Sequence, residues 1–186
     1  MRRFVLLGAA VVLLFAGLTT TAFAATKTWI GPFSGGNWST GPNWSPSGAP
    51  LAGDTVVFNS TVISNADLGA VALGAIVFGP TFGGSVINGA VTINGVSATY
   101  NIDDQNTTAT ANTINATVVL TGATAYFRSQ NATRTLKISG EISGNFGVRV
   151  YGAGSVDFSG PGDNTYTGAT TVMPQGTLLL SGAGFK

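Results

Sequence analysis

The sequence predicts an all-β fold, a β-solenoid closed at its N-terminal end by a Trp-rich cap, and three observations carry that expectation. Residues 25–186 contain one Glu, three Lys and three Gln, so strong helix formers are nearly absent. Thr, Val and Ile dominate, with 25 Thr in the chain, and Gly or Asn punctuates almost every run, which favours short strands joined by turns. Apolar runs centre near Val57, Val77, Tyr100, Val119, Lys137, Asp157 and Leu179, at intervals of 18 to 23 residues. A repeat near 20 residues suits one coil of a solenoid, whose coils bury their apolar faces only by stacking.

Taken from the start, residues 1–24 read as a signal peptide. Met1-Arg2-Arg3 is a short basic region, Phe4 to Leu18 is almost wholly apolar, and Ala22-Phe23-Ala24 is the small-x-small pattern a signal peptidase accepts. Cleavage is expected between Ala24 and Ala25. A membrane anchor is the alternative, but the apolar run falls short of the ~20 residues needed to span a bilayer. Residues 25–53 form the cap: Trp29 to Pro50 is rich in Gly, Pro, Ser and Trp and has little periodicity. An uncovered solenoid end exposes core and strand edge, so terminal units differ from the rest.

Residues 54–146 read as the coils. Asn65 to Ile76 is the best helical stretch, but Gly69 and Gly74 interrupt it. Val148-Arg149-Val150 and Val156-Asp157-Phe158 alternate apolar and charged side chains, as a half-buried strand does. An antiparallel sandwich also uses short strands. Asn and Thr recurring near coil corners favour the solenoid, because stacked side chains can share hydrogen bonds from coil to coil.

Composition excludes several functions. Without His or Cys there is no Ser-His-Asp triad, no Cys-His dyad and none of the usual zinc, haem or iron–sulfur sites. Eight basic and seven acidic residues leave no electrostatic footprint for nucleic acid. Hydrophobic residues at 44% against 8% charged reverse the signature of disorder.

The most specific motif spans residues 147–182: Gly152-Ala153-Gly154-Ser155-Val156-Asp157-Phe158-Ser159-Gly160, then Asn164-Thr165-Tyr166-Thr167-Gly168-Ala169-Thr170-Thr171-Val172, then Gly176-Thr177-Leu178-Leu179-Leu180. It resembles the autotransporter-associated β-strand repeat, also called the passenger-associated transport repeat, of large bacterial surface proteins. Ser155 and Val156 stand where that family prefers Thr and Leu, and Pro161-Gly162-Asp163 and Met173-Pro174-Gln175 lengthen its spacers. Leu136 to Gly144 looks like the lead-in often found before the repeat. Trp29-Ile30-Gly31, Trp38, Asn43-Trp44 and Gly53 to Phe58 look like the start of such passengers. The resemblance implies a right-handed parallel β-helix at, or released from, a Gram-negative-type cell surface.

The motif's residues have structural readings. Gly152, Gly160, Gly168 and Gly176 recur every eight positions, as expected of corners needing unusual φ. Asn164 suits a turn by bonding its own backbone, and Tyr166 suits a buried ring with its hydroxyl at the rim. Residues 183–186 are a tail too short for another coil, so the chain is expected to be a fragment or truncation of a longer passenger.

Parallel β-helices also carry lyase activities, which require clustered carboxylates and a basic residue. Here Asp54, Asp67, Asp103, Asp104, Glu141, Asp157 and Asp163 are dispersed, and adjacent Asp103 and Asp104 would face opposite ways on a strand. Trp29, Trp38 and Trp44 could stack on sugars, but their segment's place makes them a plug for the core. Asp163 beside Gly162 is one isolated half-match to a calcium-binding repeat, and the six Asn-x-Ser/Thr sequons, Asn115-Ala116-Thr117 among them, are expected by chance in so Asn- and Thr-rich a chain.

The expectation is therefore a non-enzymatic structural segment of an exported, adhesin-like surface passenger, with no catalytic residue, cofactor or metal. Its expected partners are the general secretion machinery, further β-helix coils, and host or environmental glycans or proteins. The alternative is an extracellular β-helix that binds or cleaves carbohydrate.

Overall fold

A computed structural model describes residues 24–96 and 100–182. The expected leader, with Ala22, and the tail at 183–186 lie outside the described residues, except for Ala24.

The described chain winds as a solenoid whose coils visit three strand positions in turn. The first position holds β1 (Thr26–Trp29), β4 (Thr55–Phe58), β7 (Ala75–Phe78), β9 (Ile102–Asp104), β12 (Ala125–Ser129), β15 (Val148–Tyr151) and β17 (Thr170–Val172), each parallel to the next. The second holds β2 (Ser34–Asn37), β5 (Ile63–Ala66), the first half of β8 (Val86–Asn94), β10 (Thr113–Ile114), β13 (Thr135–Ile138), β16 (Ser155–Phe158) and β18 (Thr177–Leu179). The third holds β6 (Ala72–Leu73), the second half of β8, β11 (Thr117–Thr121) and β14 (Ile142–Gly144). Only one short 3₁₀ turn, Gly41–Asn43, interrupts this all-β pattern among the described residues. The stretch from Asn65 to Ile76 lies in β5, β6 and β7, where its two glycines fall between strands.

Strict alternation builds the core. On the first sheet Val56, Ile76, Ile102, Phe127 and Val150 form one register row, all buried. Ile87, Ile114, Ile138 and Phe158 do the same on the second. Leu73, Ile93 and Leu120 line the third. Each row is a ladder of like side chains, so every coil depends on its neighbours for burial.

Coil length varies while register does not. Lys27 pairs with Val56 and Val57 with Val77, so successive coils take 29 and then 20 residues. The difference sits in the corners. Sequence centres Val57 and Val77 share the first sheet, Val119 lies on the third, and Lys137, Asp157 and Leu179 lie on the second. The near-20 spacing thus mixes faces, because uneven corners shift the phase.

The Trp-rich segment does more than cover the end. β1 and β2 already supply the first rungs of two sheets, and the chain returns as β3 (Trp44–Ser45), antiparallel to β1. Trp38 and Trp44 are fully buried and Trp29 nearly so. Ring centroids lie 4.9 Å apart for Trp29–Trp44 and 5.7 Å for Trp38–Trp44, both edge-on, and Phe58 packs beneath. Each indole N–H finds an oxygen: Trp38 donates to Ser64 Oγ at 3.1 Å, Trp44 to the Trp38 carbonyl at 2.8 Å, and Trp29 to the Pro32 carbonyl at 3.3 Å.

Candidate functional site

The outer row of the first sheet changes character along the solenoid. It runs through Thr28, Val57 and Val77, then becomes Asp103, Arg128 and Tyr151. The neighbouring row places Tyr126 beside Arg149. Because alternate residues of a strand share a face, these side chains stand together over three coils.

Their contacts are dense. Arg128 Nε and Nη2 donate to the two Asp103 oxygens at 2.6 and 2.7 Å, a bidentate pair, and Gln105 donates to Oδ2 at 2.9 Å. Asp103's hydrogen bonds hold Arg128 more firmly in its charged form than usual, against partial burial. The guanidinium also lies 4.0 Å from the centroid of the Tyr100 ring. Tyr151 meets Tyr100 edge-on at 5.5 Å and stacks on Tyr126 at 5.6 Å. Arg149 reaches the Tyr126 hydroxyl at 3.1 Å. Beside this array, Gly53, Gly74, Ala75, Val77, Tyr100 and Asp103 line part of a cleft of about 350 Å³. Such a surface offers flat aromatic rings, fixed guanidinium donors and one carboxylate. It is the arrangement best suited to hold a ligand among the described residues.

None of those tyrosines or arginines stands out in the sequence, and the only signal is register: Tyr100, Tyr126 and Tyr151 recur one coil apart. The tryptophans, which do stand out, present no free ring face. Asp103 and Asp104 do point opposite ways. Asp104 turns inward, accepting from Asn106 N–H at 3.1 Å and Asn112 Nδ2 at 2.9 Å, while its Oδ2 has no partner. Burial pushes the Asp104 carboxyl up, against the lowering by Asn112 and Asn106. In the same register row stand Phe58 and Phe78 on one side and Ser129 on the other, so the core passes there from aromatic to polar.

The remaining acids are held singly. Asp67 accepts from Ser39 N–H and Oγ at 2.8 and 2.6 Å; slight desolvation opposes these bonds, which prevail and set its carboxyl below the ordinary value. Glu141 accepts from Thr165 Oγ1, and Asp157 from Ser181 Oγ. No three acidic side chains converge among the described residues.

The repeat motif makes one circuit of the solenoid, from β16 through residues 164–167 to β17 and β18, with Ser155 registering on Thr177. Of its four spaced glycines, only Gly152 has positive φ, at 98°. The other three are needed for closeness: a Cβ at Gly160, Gly168 or Gly176 would lie 2.8, 2.2 or 2.6 Å from backbone atoms of the previous coil. Gly154 likewise leaves no room beside Ser129 Oγ. The left-handed residue near Gly176 is Gln175. Asn164 bonds the coil beneath rather than its own turn, accepting from Ile142 N–H at 2.8 Å, and Thr165 N–H donates to the Ile142 carbonyl. Tyr166 is buried, its hydroxyl bonded to Thr170 Oγ1. Thr171 pairs with Arg149, Val172 with Val150, Thr177 with Ser155 and Leu178 with Val156, whereas Leu180 is exposed.

Fold and surface together define the chain as a β-solenoid with a built-in N-terminal cap. No family model, curated protein or solved structure matches it.

Proposed function

We propose that the chain is a non-enzymatic structural segment of an exported bacterial surface protein, a rod of stacked coils that aids folding during secretion and holds other regions away from the cell. The observation that carries this reading is the unbroken stacking from β1 to β18 around one core. Folding can propagate along such an array because each coil needs only its neighbour. The resemblance of residues 147–182 to the passenger-associated repeat supports the surface setting, since the motif makes one complete circuit. The dispersed, singly held acids support the absence of a reaction. The test is the full chain fused at its C-terminus to a reporter active only outside the cytoplasm. Export with a protease-resistant body is expected; retention in the cytoplasm would overturn the surface role, and rapid digestion after export the structural one.

A second reading is favoured by the Tyr100, Tyr126 and Tyr151 array, whose rings and arginines suit a sugar or its acidic groups. Glycan-array binding lost in Tyr126→Ala with unchanged unfolding would support carbohydrate binding over a purely structural role.

A further inference from the structure

Asp54 is 3% exposed, and its two oxygens accept from the backbone N–H of Ala25 at 2.7 Å and of Leu51 at 2.9 Å. No cation lies within 4.0 Å of it among the described residues, where the ion pair is Arg128 with Asp103. A buried carboxylate held by two neutral amides has lost its water without gaining a counter-charge, which is costly. The donor at 2.7 Å is also a particular nitrogen. Ala25 is exposed, and its carbonyl accepts from Thr55 N–H at 2.8 Å, which fixes it at the head of the first rung. The bond between Ala24 and Ala25 is the one expected to be cut on export.

We propose that Asp54 is the counter-ion of the mature N-terminus, so that removal of the leader completes an ion pair inside the fold. The inference rests on the export reading above. Hydrolysis breaks the Ala24–Ala25 peptide bond. The water's hydroxyl goes to the Ala24 carbonyl carbon and its proton to the Ala25 nitrogen, which then takes a second proton as an ammonium at neutral pH. The donor already aimed at Asp54 thereby gains a full positive charge, and the bond becomes charge-assisted. In the precursor the same carboxylate meets only an amide. Processing thus strengthens the first coil, on which the others stack, after the chain has crossed the membrane. The other charged or titratable groups around Ala25 are Asp103 and Tyr100, which line the same cleft, and Lys27 on β1. Asp103 is committed to Arg128, and Lys27 Nζ donates to the Pro46 and Ser47 carbonyls.

The experiment uses the protein exported by a Gram-negative host. Intact mass should place its first residue at Ala25. Titration of the α-amine by NMR should give a value at least about one pH unit above the ordinary value of about 8. A folded value above the unfolded one stabilises fully below about pH 8 and loses that stabilisation as pH rises through the folded value. The wild type should therefore unfold at higher urea than its N-terminally acetylated form at pH 7, and the gap should close at high pH. Asp54→Asn should abolish the gap; because acetylation alters no side chain, the comparison stands even if that variant folds poorly. A first residue elsewhere overturns both this proposal and the expected cleavage position. A first residue at Ala25 with an amine titrating near 8, or equal unfolding of the acetylated form, overturns the ion pair alone.

Discussion

At the N-terminal end, β1 is covered by the antiparallel β3 and the core beneath is plugged by three interlocked tryptophans. At the other end, β17 and β18 are the last described strands of their sheets, and Val172 and Leu180 are 47% and 50% exposed. Both ends are built from the same Thr- and Gly-rich strands, so the contrast does not come from the repeat. It comes from what is added: a returning strand that satisfies one edge and large rings that fill the first coil. Without such an addition, a solenoid end presents unpaired backbone and half-covered apolar side chains.

Four experiments test that contrast. The largest effect is expected at the plug. Trp38→Ala removes a buried ring and its bond to Ser64, and should cost about 3–5 kcal/mol in urea unfolding, whereas Leu180→Ala should change stability by less than about 0.5 kcal/mol. Similar losses at both sites would erase the distinction between the ends.

The second asks whether the C-terminal coils are loosely stacked as well as uncovered. A Cβ on Gly168 would lie 2.2 Å from the Gly147 nitrogen, while one on Gly162 meets nothing within 4 Å. Gly168→Ala should therefore cost about 1–3 kcal/mol and Gly162→Ala almost nothing. Equal tolerance by thermal unfolding would mean that the last coils slip apart readily.

Midway between the ends, Asp104 marks the passage from aromatic to polar core. Its folded-state proton affinity is raised, mainly by burial, so its contribution is fully present below the unfolded value of about 3.9 and declines as pH rises through the folded value. D104N removes the buried charge. It should raise stability at pH 7 by about 1 kcal/mol, with no gain below about pH 3.9. A pH-independent difference would show that shape, not ionisation, sets the effect.

The smallest stability effect is expected at the open end. Leu179→Lys should alter unfolding by less than about 0.5 kcal/mol yet reduce concentration-dependent association in sedimentation. A wild type that sediments as a clean monomer over a hundredfold range about micromolar concentration would mean that its final residues cover the edge.

Fold class was legible because it depends on composition and alternation, which Val148-Arg149-Val150 states outright. So was the kind of corner contact: Asn65 Nδ2 donates to Asn37 Oδ1 and Asn115 Nδ2 to Asn88 Oδ1, each at 3.2 Å, and Ser139 meets Ser159 at 2.9 Å. The face on which each run lies was not legible, because corners of unequal length leave sequence spacing without a fixed phase. Nor was the reason for Gly168, since positive φ and backbone crowding select the same residue. The Tyr–Arg array was hidden for a related cause. Its members are ordinary residues in sequence and acquire meaning only when Arg128 registers with Asp103 and Tyr151.

The uneven coils have a mechanical consequence. Hydrogen bonds between rungs run along the solenoid axis, so tension applied between the chain ends loads one coil at a time at whichever end yields first. Each coil that detaches lengthens the chain by its own contour, on the order of 70–100 Å for coils of 20 to 29 residues. Stretched as a single molecule, the protein would extend in a staircase of unequal treads, and the order of tread lengths would report the end from which it unspools.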